Sequence, residues 1–503
     1  MDELPEKIEA SICDDIENAS KESESSPQIA VVPPPLMDLD NGLVGWDSIS
    51  DTANPQNWSK WKKTGLMVFM GAASTVSPLA SSMVAPGLAL TMDEFRVSSQ
   101  ILGSLSVTIY LIGFVIGPLF LGPMSEIFGR YPVLVSAGWF FNLWILGCAL
   151  APSIAGLIVM RILAGVGASA AMVVAPAVVA DIYPLEMRAS ATATVVLAQC
   201  AGPALGPIIG GFISQGLGWR WLYWIILIPG VAVNAFMTGF MPESYAPTLL
   251  ARKAKKLRKE TGRSDLQPLL SRKMSRKQLL ATSIVRPLKL LTKSPIAFLI
   301  CAYASTVFGI LYLFFTTIPT VFTETYGWKS SLTGLAYTPL GGGMIIALVV
   351  IMKTNDATVI KLAKKNNGNF EPEMRLATTV YYSIWLPISL FWYGWSTEKH
   401  VHWIVPIIGM IPFGFGMLGV FMPCQTYLVD AFSIYAASAV AAMRTSLSIY
   451  GTFLPLAGPS LFRSLGLGWG NTVLGFISLI MAPIPILFYK YGHIVRHKHP
   501  VSL

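Results

Sequence analysis

Twelve apolar stretches, each long enough to cross a bilayer as a helix, constrain this 503-residue chain more than any other feature. In windows of about 19 residues they run roughly 64–90, 101–121, 131–150, 154–180, 190–213, 219–241, 295–321, 332–352, 377–396, 402–422, 428–457 and 471–490. Lipid offers backbone amides no water, so a spanning segment must satisfy its own hydrogen bonds, which a helix does. Composition agrees. Hydrophobic residues make up 53% of the chain and charged residues 13%, against about 25% charged in soluble domains. The expected class is an all-α membrane protein with twelve transmembrane helices.

Polar stretches set the expected domains. Residues 1–63 form a polar, mostly disordered tail, and 64–241 hold six spans. A basic loop follows at 242–294, then six more spans at 295–490 and a short tail at 491–503. The acidic start does not resemble a signal peptide, so the first span is expected to be the targeting signal. Lys60, Lys62, Lys63, Arg130, Arg188, the run Arg252 to Lys293, Lys353, Lys361, Lys364, Lys365, Arg375, Lys490, Arg496 and Lys498 share one side. The opposite loops hold only Arg96, Arg220, Lys329, Lys399 and Arg463. Positive charge stays inside, which places both termini and the central loop in the cytosol. The net charge of +9 follows from that bias and does not indicate nucleic acid. The central basic run reads as a solvated linker or as a contact for anionic headgroups. Cys13, Cys148, Cys200, Cys301 and Cys424 lack metal-ligand spacing, so no metal, cofactor or disulfide is expected.

The two sets of six spans repeat. Asp181 lies 37 residues before Gly218-Trp219, and Asp430 lies 38 before Gly468-Trp469. An Ala-Ser-Ala triplet follows each aspartate, at 189–191 and 437–439. In the fifth span Gly202, Gly206 and Gly210 fall four apart on one helical ridge, with Pro203, Pro207 and Gly211 on the next. Gly451, Pro455 and Gly458-Pro459 echo them in the eleventh. A bare ridge lets a neighbouring backbone approach closely, and prolines there suit a moving joint. Two pseudo-symmetric six-helix halves with matched parts are the architecture of a rocking transporter, with its substrate between them.

Arg161 and Arg444 lie inside spans, where a charge costs at least about 2.5–3.5 kcal/mol on insertion scales. Each is expected to face a wet cavity or to clamp backbone carbonyls. No Asp or Glu lies deep in a span. Glu126, Asp181 and Asp430 stand at cytosolic ends, and His400 and His402 at an outer end. Tyr303, Phe308, Tyr312, Phe413 and Phe415 are candidate walls of a cavity suited to flat apolar ligands.

Several of these stretches resemble the major facilitator superfamily. Gly122-Pro-Met-Ser-Glu126-Ile-Phe-Gly129-Arg130 looks like its loop signature between the second and third spans, with Glu126 for the usual Asp and Ile127 for the usual basic residue. Arg161-Ile-Leu-Ala-Gly165-Val-Gly167 resembles the fourth-span motif implicated in proton transfer, and Gly202–Gly211 the antiporter motif of exporters. Asn54-Pro-Gln-Asn-Trp58, Pro242-Glu-Ser-Tyr and Tyr427-Leu-Val-Asp430 are similar to the fungal twelve-spanner drug–proton antiporter branch. The resemblance implies the major facilitator fold. It also implies an inner gate in which Glu126, Gly129, Arg130, Asp181 and Arg188 are latched with Asp430 of the other half. Such a latch would break when the halves rock.

The expected function is export of a small amphipathic drug, toxin or metabolite, neutral or weakly acidic, by proton antiport with rocker-switch access. A monomer is expected, in the plasma or vacuolar membrane. A nutrient importer and a transporter-like sensor are the alternatives. No nucleophile–base pair argues for an enzyme, and no Gly-x-x-x-x-Gly-Lys-Ser/Thr loop argues for direct ATP drive.

Overall fold

The computed structural model describes residues 36–270, 276–366, 368–432 and 435–498; Cys13 lies outside them. The described chain divides into two units. The larger, residues 55–249 and 276–498, holds the spans. Serines cap several of them, accepting a bond from an amide three residues on: Ser59 from Lys62, Ser99 from Leu102, Ser153 from Gly156 and Ser294 from Ala297. These contacts satisfy amides that the first helical turn leaves free.

In the first half the spans are Lys60–Glu94, Gln100–Phe128, Arg130–Ala149, Ile154–Ile182, Leu185–Leu217 and Arg220–Phe240. The second half begins with Pro295–Tyr326 and Thr338–Lys365. Ten described segments are long and apolar enough to cross a membrane. One of these, Ala436–Arg496, contains Gly466 at φ 75°, ψ 173°. That conformation suits glycine and ends a helix, so the segment holds the eleventh and twelfth spans. The ninth falls below the length needed because a turn at Ile384 divides it into Thr379–Ser383 and Trp385–Glu398. Twelve spans result.

Some expected boundaries shift. The tenth span runs Ile404–Ala431, so Asp430 ends it as Asp181 ends the fourth, and does not open the eleventh. The joint after the fifth span is Gly218, at φ 89°, ψ 163°. Its counterpart is Gly466, two residues before the expected Gly468. The last helix continues to Lys498, into the expected tail.

The halves match contact for contact. Gly113 of the second span meets Gly165 of the fourth, and Gly343 of the eighth meets Ile411 and Phe415 of the tenth. Gly138 and Gly230 of the third and sixth spans lie against Asn234 and Asn142, and Gly394 of the ninth against Asn471 of the twelfth. Arg130 pairs with Asp181 at 3.0 Å, and Arg375 with Asp430 at 2.9 Å.

The smaller unit, residues 36–54 and 250–270, corrects the expectation of a disordered tail for its described part. Leu43–Val44 pairs in parallel with Gln267–Pro268. Gln267 N donates to Gly42 O at 2.7 Å, and Leu269 N to Val44 O at 3.0 Å. Val44, Ala254 and Leu266 form its core. Lys253 Nζ lies 2.8 Å from Asp47 Oδ1 and 3.7 Å from Asp51 Oδ2.

Burial pushes the Asp51 carboxyl up. The amides of Ala53 and Asp47, together with Lys253, outweigh burial and hold it below the ordinary carboxylate value. Its stabilising contribution is therefore complete above the unfolded carboxylate pKa, about 3.9, and is lost as pH falls through the lower folded value. Asp51→Ala removes bonds to a charged acceptor worth on the order of 2 kcal/mol. It should speed hydrogen exchange at the Gln267 and Leu269 amides at least tenfold at pH 7, and unchanged exchange would show that Asp51 does not hold the strand pair.

Candidate functional site: the seam between the halves

The fifth span is pressed between two neighbours. A side chain on Gly202 would come within 2.7 Å of Pro78 and Leu79, and one on Gly206 or Gly210 would strike Ser82 or Met83. That ridge faces the first span. On the next ridge, a side chain on Gly211 would come within 2.7 Å of the Ser331 carbonyl, the Pro207 carbonyl faces Gly334, and a side chain on Gly341 would come within 2.8 Å of Ala204. Those partners belong to the eighth span and the turns Ser330–Thr333 and Gly334–Tyr337 before it. Pro203 shares the helix as the sequence pattern requires. The eleventh span repeats the arrangement, Gly458 against Leu313 and Thr317 of the seventh, and Gly451 against Leu111 of the second. Each half thus sends one small-residue span to the other.

Hydrogen bonds cross the same seam. Ser81 Oγ and the Tyr312 hydroxyl are 2.8 Å apart. Thr108 Oγ1 donates to Thr452 O at 3.0 Å, and Arg463 Nη2 to Gln100 Oε1 at 3.3 Å.

Arg161 sits beside this seam, 1% exposed. Nη2 donates to Val107 O at 2.8 Å and Ser81 O at 3.5 Å, and Nη1 to the Tyr223 hydroxyl at 3.4 Å. The guanidinium lies 5.2 Å from the Tyr110 ring centroid, and the Tyr110 hydroxyl donates to Ser77 O at 3.0 Å. Every partner is neutral, and Nε has none. Among the described residues no carboxylate pairs with Arg161. The carbonyl clamp expected of a buried arginine is present, with the charge itself uncompensated. Ser81 thus stands between Arg161, which bonds its carbonyl, and Tyr312 of the opposite half, which meets its hydroxyl.

The other candidates spread out. Tyr312 stacks on Phe308 and Phe315 at 5.1 and 5.3 Å, and Phe308 approaches Gly451, so both belong to the seam. Phe413 packs on Phe314 at 5.0 Å inside the second half. Phe415 packs on Tyr382 and Trp385 of the ninth span and its lead-in. These contacts lie within the second half. Tyr303 is fully buried. Arg444 lies eight residues into the helix that begins at Ala436, with its guanidinium 5.2 Å from the Phe421 ring. His400 and His402 are exposed in the turn after the ninth span. A small cavity of about 50 Å³ lies within the first half, lined by Ser77, Gly138, Gly167, Gly230 and Asn234 among others.

At the basic end of the spans, Arg130 pairs with Asp181. Besides Asp181, its Nη1 donates to Ser125 Oγ at 2.8 Å, and its guanidinium lies 4.3 Å from the Tyr245 ring. Gly129, at φ 106°, turns the chain into the third span. Glu243, unassigned from sequence, caps that span by accepting from Arg130 N at 2.9 Å and Tyr131 N at 3.3 Å. Pro242-Glu-Ser was the available signal, since an acid at a helix start suits its free amides. Arg188 donates to the carbonyls of Tyr183 and Ala180 at 3.0 and 2.8 Å, and Glu126 joins neither arginine. Asp430 pairs with Arg375 of its own half, because the loop before the ninth span brings that cation beside it. Glu373, 2% exposed, pairs with Arg496 of the last helix at 3.3 Å.

A sequence model of the Major Facilitator Superfamily matches residues 70–455. The MFS transporter cpaT of Aspergillus oryzae is 43% identical over 454 residues, covering 90% of this chain and 91% of that protein. The efflux pump radE of Floropilus chiversii is 36% identical over 472 residues, covering 94% and 88%. Among solved structures, the xylose transporter XylE of E. coli in a partially occluded inward-open conformation aligns with a TM-score of 0.64 at 17% identity, covering 86% of this chain and 98% of that one. The human organic anion transporter MFSD10 aligns with a TM-score of 0.59 at 15% identity, covering 84% and 99%.

Gly206→Leu forces a side chain into Ser82 and separates the fifth span from the first. Transport should fall to background, with surface abundance near that of the parent; normal transport would remove the joint from the mechanism. Arg161→Ala should lose roughly tenfold or more in transport. Arg161→Lys keeps the charge but cannot span the Val107 and Tyr223 oxygens as a planar fork does, so it should fail nearly as badly. Recovery with Lys would show that charge alone matters.

Proposed function

The chain belongs to the major facilitator superfamily, and from that premise we propose that it exports a small amphipathic compound by proton antiport with rocker-switch access. The observation that carries the reading is the close approach of the fifth span's Pro207 and Gly211 to the backbone of Ser331 and Gly334 in the other half, with Gly451 of the eleventh span against Leu111 in return. Backbone contacts of this kind hold two helices together without interlocked side chains, so the halves can part and re-form them. The name of one relative, an efflux pump, supports the direction. Both termini and the basic loop face the cytosol in this reading, and the plasma membrane is the proposed site.

The cargo is a neutral or weakly acidic metabolite, toxin or drug. Arg161 has no acidic partner among the described residues, and its site favours a partial negative charge while repelling a cation. Arginine keeps its proton at any physiological pH, so the proton is carried elsewhere. Asp181 and Asp430, held by Arg130 and Arg375 at the rim, are the groups whose protonation would loosen the ends of the spans.

Export from a pump-deleted yeast should stop when a protonophore collapses the pH gradient while ATP stays high. Continued export would sink proton coupling. Gradient-driven uptake of the same compound into cells would instead make the chain an importer.

A further inference from the structure

The helix Ala246–Thr261 carries its charges in two groups. Leu250 and Ala254 are buried and Leu257 is half-buried, and Ala254 and Leu257 pack with Val44 and Leu266 in the core of the small unit. The cations nearest that face are already engaged. Lys253 bonds Asp47 and the Gly45 carbonyl, and Arg258 Nε donates to Leu266 O at 2.7 Å. Arg252, Lys255, Lys256 and Lys259 are exposed. At about 100° per residue these four fall within a stripe roughly 100° wide, opposite Leu250, Ala254 and Leu257. The helix has one acid, Glu260, 3.7 Å from Lys256, so the stripe keeps most of its charge.

The helix starts six residues after the sixth span ends at Phe240. Six residues reach at most about 20 Å, which tethers the start of the helix to the end of the span. A leaflet rich in anionic lipid attracts basic residues within about a Debye length of it, on the order of fivefold in affinity for each.

We propose that the stripe Arg252, Lys255, Lys256 and Lys259 binds anionic lipid headgroups at the membrane surface. The helix then acts as a two-sided spacer, its apolar face on the strand pair of the small unit and its basic face on lipid. This does not depend on the direction of transport.

Lysine acetylation footprinting of the full chain tests it, in nanodiscs of phosphatidylcholine alone or with 30% phosphatidylserine. Nanodiscs carry the same lipid on both faces, so orientation does not enter. Labelling of Lys255, Lys256 and Lys259 should fall about threefold or more with phosphatidylserine and recover in 1 M salt, where screening shortens to about 3 Å. Lys253, engaged within the small unit, should change little. Free glycerophosphoserine added to phosphatidylcholine discs should not reproduce the protection. Equal labelling in both lipids, or protection by the free headgroup alone, would overturn the proposal.

Discussion

Lipid drives apolar helices out of water but does not sort them against one another, so the arrangement of these spans rests on close backbone contact at small residues. The contact of Gly202, Gly206 and Gly210 with Pro78 to Met83 is the clearest case. Several glycines where spans meet in the first half have counterparts in the second: Gly113 and Gly343, Gly138 and Gly394, Gly206 and Gly458. The packing is thus specified twice by one pattern, and the seam between the halves is built from what remains of that pattern.

Magnitudes explain why the seam can open. Hydrogen bonds between spans average about 0.6 kcal/mol in membrane proteins. Ser81 with Tyr312, Thr108 with Thr452 and Arg463 with Gln100 therefore sum to roughly 2 kcal/mol, which differential binding of a cargo or a proton can offset. Arg161 is different. Leaving its charge without oxygens would cost at least about 2.5–3.5 kcal/mol, and Val107 and Tyr223, its nearest oxygen partners, belong to its own half. The arginine therefore stays solvated by the first half whatever the second half does. Ser81, whose carbonyl bonds the arginine, meets Tyr312 of the second half through its hydroxyl.

Much of this was legible in the sequence because it is local. The length of an apolar run marks a span, a four-residue repeat of glycine marks a ridge, and the spacing from Asp181 to Gly218 recurs after Asp430. What was not legible depends on direction or distance. Spans apolar on all sides give no phase to separate lipid from protein, so Phe413 and Phe415 looked equivalent to Phe308 and Tyr312. The pair Arg375–Asp430 joins residues 55 apart, and choosing it over a partner in the other half requires knowing where the tenth span ends. The strand pair between residues 43–44 and 267–268 is too short to leave any alternation to read.

The central claim is that two near-copies of one six-helix unit rock about bare-ridged spans. Double electron–electron resonance on the full chain in nanodiscs measures this directly. One spin-label pair would sit at Phe128 and Ala437, exposed residues at the basic end of each half, and another at Leu150 and Lys399, exposed at the far end. The account predicts that the two distances change in opposite directions, by 5 Å or more, when pH or cargo is changed. Distances at both ends that stay fixed, or that lengthen together, would contradict it.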